Sequence, residues 1–305
     1  MAEVKPPWLP DIKEYQPGEQ VFPNLEHQTA VMRGSWAIDV LRRKIIPYLS
    51  SSRKLNLLVV GVGLNDLHFR CPYEPYRIAG FLESEKIDYS MAIVDKNDQV
   101  INDLRRRKKI LLPLNDYRNR ANSRKAWKEY LAYIGENSNV THNLDEDVKF
   151  VDRLQGMELS EAQQELREGL LTASVPMSFR EKLTNGQIQL IKSDIAKTGL
   201  KRLNQFNFIA CTNVLYLLSE AGQKLALFNM AQALPDKAIM LINSRRGADI
   251  PPRYERRKYT GAALLPEYDG WLTTEKLEEL GLKRDEVLEN NRNDEIITLT
   301  LRKTN

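Results

Sequence analysis

Short apolar runs alternate along the chain with longer segments in which apolar residues recur at helical spacing. The runs predict strands covered on both faces, and the segments between them predict helices that pack across the strands. The predicted strands cover residues 55–61, 89–95, 187–192, 206–211, 238–243 and 295–302. The predicted helices cover residues 35–49, 75–84, 97–108, 178–183, 220–234 and 274–280. This alternation predicts an α/β fold with a parallel, doubly wound sheet.

The end of the chain departs from the alternation. After the helix over 274–280 come two strand-like segments, 284–289 and 296–301, with an asparagine-rich polar turn between them. They predict a terminal hairpin.

The chain divides into an N-terminal part, 1–52, and a main domain, 53–305. Residues 1–24 are rich in proline and aromatic residues and predict an extended arm that packs on the body, followed by the helix over 35–49. The segment between the second and third predicted strands is too long for one crossover helix. We therefore expect a helical insertion at about 109–176, with helices over 123–134 and 159–171.

Charge is unevenly distributed around this insertion. Residues 101–130 contain ten Lys and Arg against three Asp and Glu, whereas residues 143–168 contain three against eight. The segments are either solvated helical faces that pair with each other or a binding patch.

Composition narrows the class of protein. The 305 residues carry a net charge of +4, with 42% hydrophobic and 28% charged residues, and no apolar run is long enough to cross a membrane. The N-terminal residues lack the pattern of a secretory signal, so we expect a cytoplasmic protein without a membrane partner. Two cysteines fit a reducing compartment, and three scattered histidines give no reason to expect a metal site.

A glycine turn follows the first predicted strand. Gly61 and Gly63 let the backbone approach a ligand at the carboxyl end of that strand, where open α/β sheets bind cofactors. The dinucleotide fingerprint requires a third glycine at position 66, where this chain has Asp66, and a carboxylate there would repel a pyrophosphate. A cationic cofactor without phosphate is compatible with Asp66.

Polar residues also follow the next three predicted strands. Asp95 is placed to accept hydrogen bonds from a ribose diol, or else to cap the following helix. Asp194 is placed to accept from an adenine amino group, or again to cap a turn. Asn213 follows the fourth strand and would face the cofactor or the substrate across the sheet crevice.

Two runs resemble motifs of one family. EPYRIA at 74–79 resembles the EPYSIA run of the CheR-type chemotaxis receptor methyltransferases, and CTNV at 211–214 resembles their CRNV run at the same relative place. Arg33 resembles the arginine that precedes the first core helix of that family. The resemblance implies S-adenosylmethionine as cofactor, methyl transfer to a carboxylate, and a Rossmann-like, mostly parallel sheet with an antiparallel C-terminal strand.

The resemblance also implies roles for single residues. Glu74 would hold the methionine ammonium and Arg33 the methionine carboxylate, while Asp95 would bind the ribose and Asp194 the adenine edge. Asn213 would line the same pocket, and the turn at Gly61 and Gly63 would make room for the adenosyl group.

The chain departs from the family in several places. Thr212 replaces the arginine of CRNV, the loop before Glu74 is longer and bulkier, and the stretch before Arg33 is too short for the helical domain with which chemotaxis enzymes dock receptors. We therefore expect the cofactor of the family without its receptor substrate.

Two further features of the sequence concern the methyl acceptor. An amine or hydroxyl acceptor would need a general base, for which Tyr216 and His68 are the candidates. The loop 244–259 has six basic and two acidic residues and leaves the fifth predicted strand. It is either a solvated loop or a clamp for an anionic acceptor, formed by Arg245, Arg246 and Arg253.

The sequence thus predicts an S-adenosylmethionine-dependent methyltransferase that acts on a small molecule or a protein side chain, and the basic loop would suit an anionic acceptor. The alternative is a non-catalytic cofactor-binding module used for protein interaction, and a dehydrogenase is disfavoured by Asp66 and the terminal hairpin. Nucleic acid is not an expected partner, because no stacking aromatic platform accompanies the basic loop. The identity of the acceptor and the oligomeric state remain open.

Overall fold

The computed structural model describes residues 6–13, 33–49, 54–62, 73–111, 172–197, 199–200, 205–212, 214–215, 218–244, 273–290 and 295–301. The strands are β1 (Leu55–Val60), β2 (Tyr89–Asp95), β3 (Lys109–Leu111), β4 (Thr172–Ser174), β5 (Ile188–Lys192), β6 (Phe208–Cys211), β7 (Ile239–Ser244), β8 (Leu282–Asn290) and β9 (Glu295–Leu301). The α-helices are α1 (Arg33–Val40), α2 (Tyr73–Ser84), α3 (Asp98–Arg106), α4 (Met177–Thr184), α5 (Glu220–Gln232) and α6 (Thr274–Glu279).

Seven strands form one sheet in the order β5-β2-β1-β6-β7-β9-β8. The first five of these pair in parallel, whereas β9 runs antiparallel to both β7 and β8. The chain first winds outward from β1 through β2 to β5 and then returns to the other side of β1 at β6. Strand order therefore reverses between β1 and β6, and such a switch point opens a crevice at the carboxyl ends of the strands. The predicted doubly wound, Rossmann-like fold with an antiparallel C-terminal strand is confirmed.

The sheet is buried on both faces, in two separate hydrophobic layers. Leu55, Leu57 and Val59 of β1 pack with residues of α1, α2, α3 and α4. Leu58 and Val60 of the same strand pack with residues of α5 and α6. Because successive side chains of a strand point to opposite faces, one apolar run supplies both layers, as predicted for strands covered on both sides.

Side-chain caps fix where three of the helices begin. Asn97 accepts a hydrogen bond from the backbone N–H of Gln99 at 2.8 Å and so starts α3. Ser219 caps α5 and Thr273 caps α6 in the same way. The predicted helices that fall on described residues differ from the observed ones at their ends. The helix predicted over 35–49 continues past α1 as a π-helical segment, Leu41–Ile45, and a 3₁₀ turn, Ile46–Tyr48.

A short ribbon stands at the base of the predicted insertion. Strands β3 and β4 pair antiparallel, with Lys109 opposite Ser174, and join the residues on either side of 112–171. The helices predicted over 123–134 and 159–171 lie outside the described residues, and the division into 1–52 and 53–305 stays a prediction. Within the described part of the chain no helix is long and apolar enough to cross a membrane.

A polar network ties α4 to α2 and to the start of β2. The Ser178 hydroxyl donates to a Glu83 carboxylate oxygen at 2.9 Å and lies 3.3 Å from the Tyr89 hydroxyl. Burial raises the pKa of Tyr89 well above its ordinary value, so the phenol stays neutral. The Lys182 ammonium donates to Asp88 at 2.8 Å and lowers the pKa of that carboxyl group. The network holds α4 at the amino end of the sheet.

Candidate functional site

The carboxyl ends of β1, β2 and β5 lie side by side and bring three predicted site residues to one edge. The Gly61 N–H donates to the Val94 carbonyl at 2.8 Å, which places the glycine turn beside the end of β2. The Ser193 N–H donates to the Asp95 carbonyl at 3.1 Å, which places Asp194 beside Asp95 along the same edge. We call this row, Gly61, Asp95 and Asp194, the carboxyl edge.

Gly61 is required by the backbone and by a neighbour. Its φ of +59° lies in the left-handed region, which favours glycine. A Cβ at this position would lie 2.4 Å from Cγ2 of Val214, which follows β6. Gly61 therefore allows the segments after β1 and β6 to approach each other closely at the switch point.

Asp95 is 7% exposed at the end of β2. Its Oδ1 accepts a hydrogen bond from the Asn97 N–H at 2.8 Å. Because Asn97 itself caps α3, the interpretation of Asp95 as the helix cap is wrong. Asp95 supports the turn before the helix, while its proposed role toward a ribose stays a prediction.

Asp194 closes the turn that follows β5. Its Oδ1 accepts from the Ala196 N–H at 2.9 Å, and its backbone carbonyl accepts from the Lys197 N–H at 2.9 Å. The turn-capping interpretation is thus confirmed. The residue is only half-buried, and its role toward an adenine stays a prediction.

Helix α2 begins with two buried charged residues. Glu74 is 2% exposed and Arg77 is fully buried, and residues three apart lie on the same side of a helix. The Arg77 Nη1 donates to the Ser35 hydroxyl of α1 at 2.8 Å. A Cβ at Gly34 would lie 3.2 Å from Cβ and Cδ of Arg77, so α1 and α2 pack closely here. The low dielectric around these groups strengthens their electrostatic interactions with any nearby charge.

Arg77 lies beside the candidate site residue Glu74, and its burial was not predicted from the sequence. It occupies the position of the family's serine in the EPYSIA run. The signal that could have identified it is its spacing from Glu74, since a Glu and an Arg three residues apart at the start of a helix share one face. Thr212, which stands where the family has an arginine, is fully buried directly after β6.

The remaining predicted site residues are described only in part or not at all. The backbone of Arg33 starts α1, next to Gly34 and therefore beside Arg77, while its side chain lies outside the described structure. The others that fall outside the described residues are Gly63, His68, Asn213, Tyr216, Arg245, Arg246 and Arg253. Their roles stay predictions. Among the described residues, no three His, Cys, Asp or Glu side chains cluster in a way that could hold a metal ion.

Comparison with known proteins gives structural neighbours only. No protein-family model matches the chain, and no curated protein matches it. A TehB-like S-adenosylmethionine-dependent methyltransferase from Corynebacterium glutamicum is similar at 12% identity and a TM-score of 0.38, covering 88% of each chain. The N-methyltransferase NodS from Bradyrhizobium japonicum, solved with S-adenosyl-L-homocysteine, is similar at 12% identity and a TM-score of 0.39, covering 92% of each chain. The CurJ carbon methyltransferase is similar at 13% identity and a TM-score of 0.45, covering 92% of this chain and 57% of its own.

None of these three is a chemotaxis receptor methyltransferase, so the resemblance to that family stays a prediction. With identities and TM-scores this low, the function has to be argued from the residues of the chain itself.

Proposed function

We propose that this protein is an S-adenosylmethionine-dependent methyltransferase acting on a small molecule or a protein side chain. The observation that carries the proposal is the burial of Glu74, 2% exposed, in the first turn of the helix that follows β1. This helix follows the carboxyl end of β1, beside the switch point, where a doubly wound sheet binds its cofactor. A carboxylate held there in a low dielectric attracts a cationic group of the cofactor strongly.

The charged groups present fit this cofactor better than a dinucleotide. Glu74 and Asp95 are acceptors, which suit the ammonium of a methionine moiety and the hydroxyls of a ribose. Asp95 would suit the ribose of a dinucleotide as well, but the pyrophosphate of a dinucleotide would be repelled by the buried carboxylate of Glu74. The motif at 74–79 supports a cofactor site of the chemotaxis receptor type, and Arg77 offers a guanidinium one turn from Glu74.

The bound cofactor would supply an electrophilic methyl group on a sulfonium. The residues of the chain would then hold it, exclude water and align the acceptor for in-line displacement. A carboxylate acceptor needs no base, whereas an amine or hydroxyl would use Tyr216 or His68. Arg245, Arg246 and Arg253, in the loop after β7, would bind an anionic acceptor. The composition supports a site of action in the cytoplasm.

Isothermal titration with S-adenosylmethionine and with NADH tests the cofactor. We expect binding of the first and not of the second. Glu74→Gln should lose most of the affinity that Glu74→Ala loses, because the role of Glu74 depends on its charge rather than its size. Wild-type affinity in a folded Glu74→Gln variant would refute that role.

Turnover distinguishes an enzyme from a cofactor-binding module. Methyl transfer from labelled S-adenosylmethionine into metabolite pools or lysate proteins supports the enzyme. Tight cofactor binding with no transfer to any acceptor supports the module. A lost acceptor activity in Arg245→Ala/Arg246→Ala, with unchanged cofactor affinity, would assign the basic loop to the acceptor.

A further inference from the structure

A basic groove lies between the C-terminal end of α3 and helix α4, where it has a cavity volume of about 730 Å³. Its cationic residues come from two directions. Arg105, Arg106 and Lys108 come from the end of α3, and Arg180 comes from α4. Glu181 is the carboxylate that lines the same cavity among the described residues. The groove therefore carries a clear excess of positive charge.

These four cations have no carboxylate partner within the described part of the chain. A fifth cation that lines the groove, Arg107, is different, because it forms a two-point ion pair with Asp103 at 2.6 Å. Like charges gathered in one concave surface repel each other, and an anion that binds between them relieves the repulsion.

Helix electrostatics explains only part of the cluster. Arg105 and Arg106 lie in the last turn of α3, where the helix dipole favours cations. Arg180 lies in the first half of α4, where the same dipole disfavours a cation. The helix dipole therefore does not explain why Arg180 faces the cations at the end of α3 across the groove.

The groove is separate from the carboxyl edge. Helix α3 starts at Asp98, close to Asp95, and Arg105 lies seven residues further on. At 1.5 Å per residue this is a distance of roughly 10 Å along the helix axis. A ligand in the groove would thus occupy a second site, independent of the proposed cofactor.

We propose that this groove binds a compact polyphosphate, either free or as part of a phosphorylated small molecule. Its volume is within the range of small-molecule sites, and arginine side chains bind phosphate oxygens through paired N–H donors. Several phosphates joined in one group match four cations in a small space better than single carboxylates do. An extended nucleic-acid strand fits less well, because Phe179, the aromatic residue lining the groove, is 1% exposed and offers no ring for base stacking.

Calorimetric titration of the full-length protein with sodium tripolyphosphate, at constant ionic strength, tests the proposal. We expect Arg105→Gln/Arg180→Gln to weaken binding by roughly tenfold or more, since each variant residue removes a charge-assisted contact from one wall. Lys54→Gln/Lys283→Gln removes the same charge outside the groove and should bind like wild type. Arg180→Lys, which keeps the charge but loses the planar fork, should lie between wild type and the double variant.

Further ligands distinguish a free polyphosphate from a phosphorylated small molecule. A nucleoside triphosphate that binds more tightly than tripolyphosphate indicates a phosphorylated small molecule, and equal affinity indicates a free polyphosphate. The proposal is overturned if tripolyphosphate binds no better than sulfate, if both double variants lose equal affinity, or if only a single-stranded oligonucleotide binds. Because S-adenosylmethionine titration is a separate measurement, failure here leaves the proposed methyltransferase untouched.

Discussion

Two regions of the molecule carry clusters of charge. One is the carboxyl edge together with the start of α2, and the other is the basic groove at the C-terminal end of α3. They differ in how far their charged side chains are exposed to solvent. Glu74, Arg77 and Asp95 are buried, whereas Arg105 and Arg180 are exposed. A buried charge is desolvated and must be compensated by the fold around it. An exposed charge is solvated and contributes little to stability. Substitutions at the first region should therefore change folding and binding together, and substitutions at the groove should change binding alone.

The largest expected effect is that of Arg77→Met. The variant removes the hydrogen bond to Ser35 and the buried positive charge one turn from Glu74. We expect a loss of about 3 kcal/mol or more in the free energy of unfolding, because the variant removes a buried charge and leaves the neighbouring buried carboxylate of Glu74 less well compensated. Urea denaturation followed by circular dichroism measures it.

Arg42→Met is the matched control for Arg77. Arg42 also bridges the α1 region and α2, since its guanidinium carbon lies 5.1 Å from the centre of the Phe81 ring, but its side chain is exposed. Its loss should amount to about 0.5–1 kcal/mol. Equal losses in the two variants would show that burial of the charge does not set the difference.

Gly61→Ala should have the next largest effect, about 2–4 kcal/mol, because it combines two penalties. The residue would adopt a φ of +59°, and its Cβ would overlap Val214 at 2.4 Å. Gly186→Ala isolates the first penalty, since Gly186 has a φ of +78° and nothing within 4 Å of an added Cβ. That variant should lose about 1 kcal/mol. The double variant Gly61→Ala/Val214→Ala should recover part of the larger loss, and no recovery would contradict the overlap.

Asp95→Ala should weaken S-adenosylmethionine binding by about 1–3 kcal/mol, the usual effect of leaving buried donors or acceptors unsatisfied. Asp98→Ala is the control three residues away, because Asp98 is exposed and pairs with Lys192 at the surface. It should leave cofactor affinity unchanged and lower stability by only a few tenths of a kcal/mol. Isothermal titration compares the cofactor affinities of the two variants. If Asp95→Ala binds S-adenosylmethionine as well as Asp98→Ala does, the role of Asp95 is limited to supporting the turn before α3.

Much of the fold could be predicted from the sequence, because its strands are continuous apolar runs bounded by polar residues. The apolar run that predicts β2 has the observed bounds of that strand, Tyr89–Asp95. The ribbon of β3 and β4 could not be predicted, because strands of three residues have no readable periodicity. Its pairing also joins Lys109 to Ser174, far apart in the chain.

The site was predictable where it depends on strand ends and not where it depends on packing between helices. Asp95 and Asp194 follow apolar runs and therefore could be placed on one edge. The burial of Arg77 depends on Gly34 and Ser35, which lie on another helix. The spacing of Arg77 from Glu74 places both residues on one face of α2, but it does not indicate the contact with α1, since an arginine in the first turns of a helix is usually solvated.

The smallest expected effect is that of Arg105→Gln on stability. Arg105 is exposed in the last turn of α3, where a cation near the helix C-terminus contributes about 0.5 kcal/mol or less, and salt screens that contribution. Arg107→Gln, two residues on, should lose about 1 kcal/mol, because Arg107 is largely buried and holds both oxygens of Asp103. Urea denaturation at low and high salt compares the two. A loss above about 1 kcal/mol for Arg105→Gln would mean that the Arg105 side chain interacts with the protein itself and is not available to a ligand. The groove would then not differ from the buried residues Glu74, Arg77 and Asp95 in its contribution to stability.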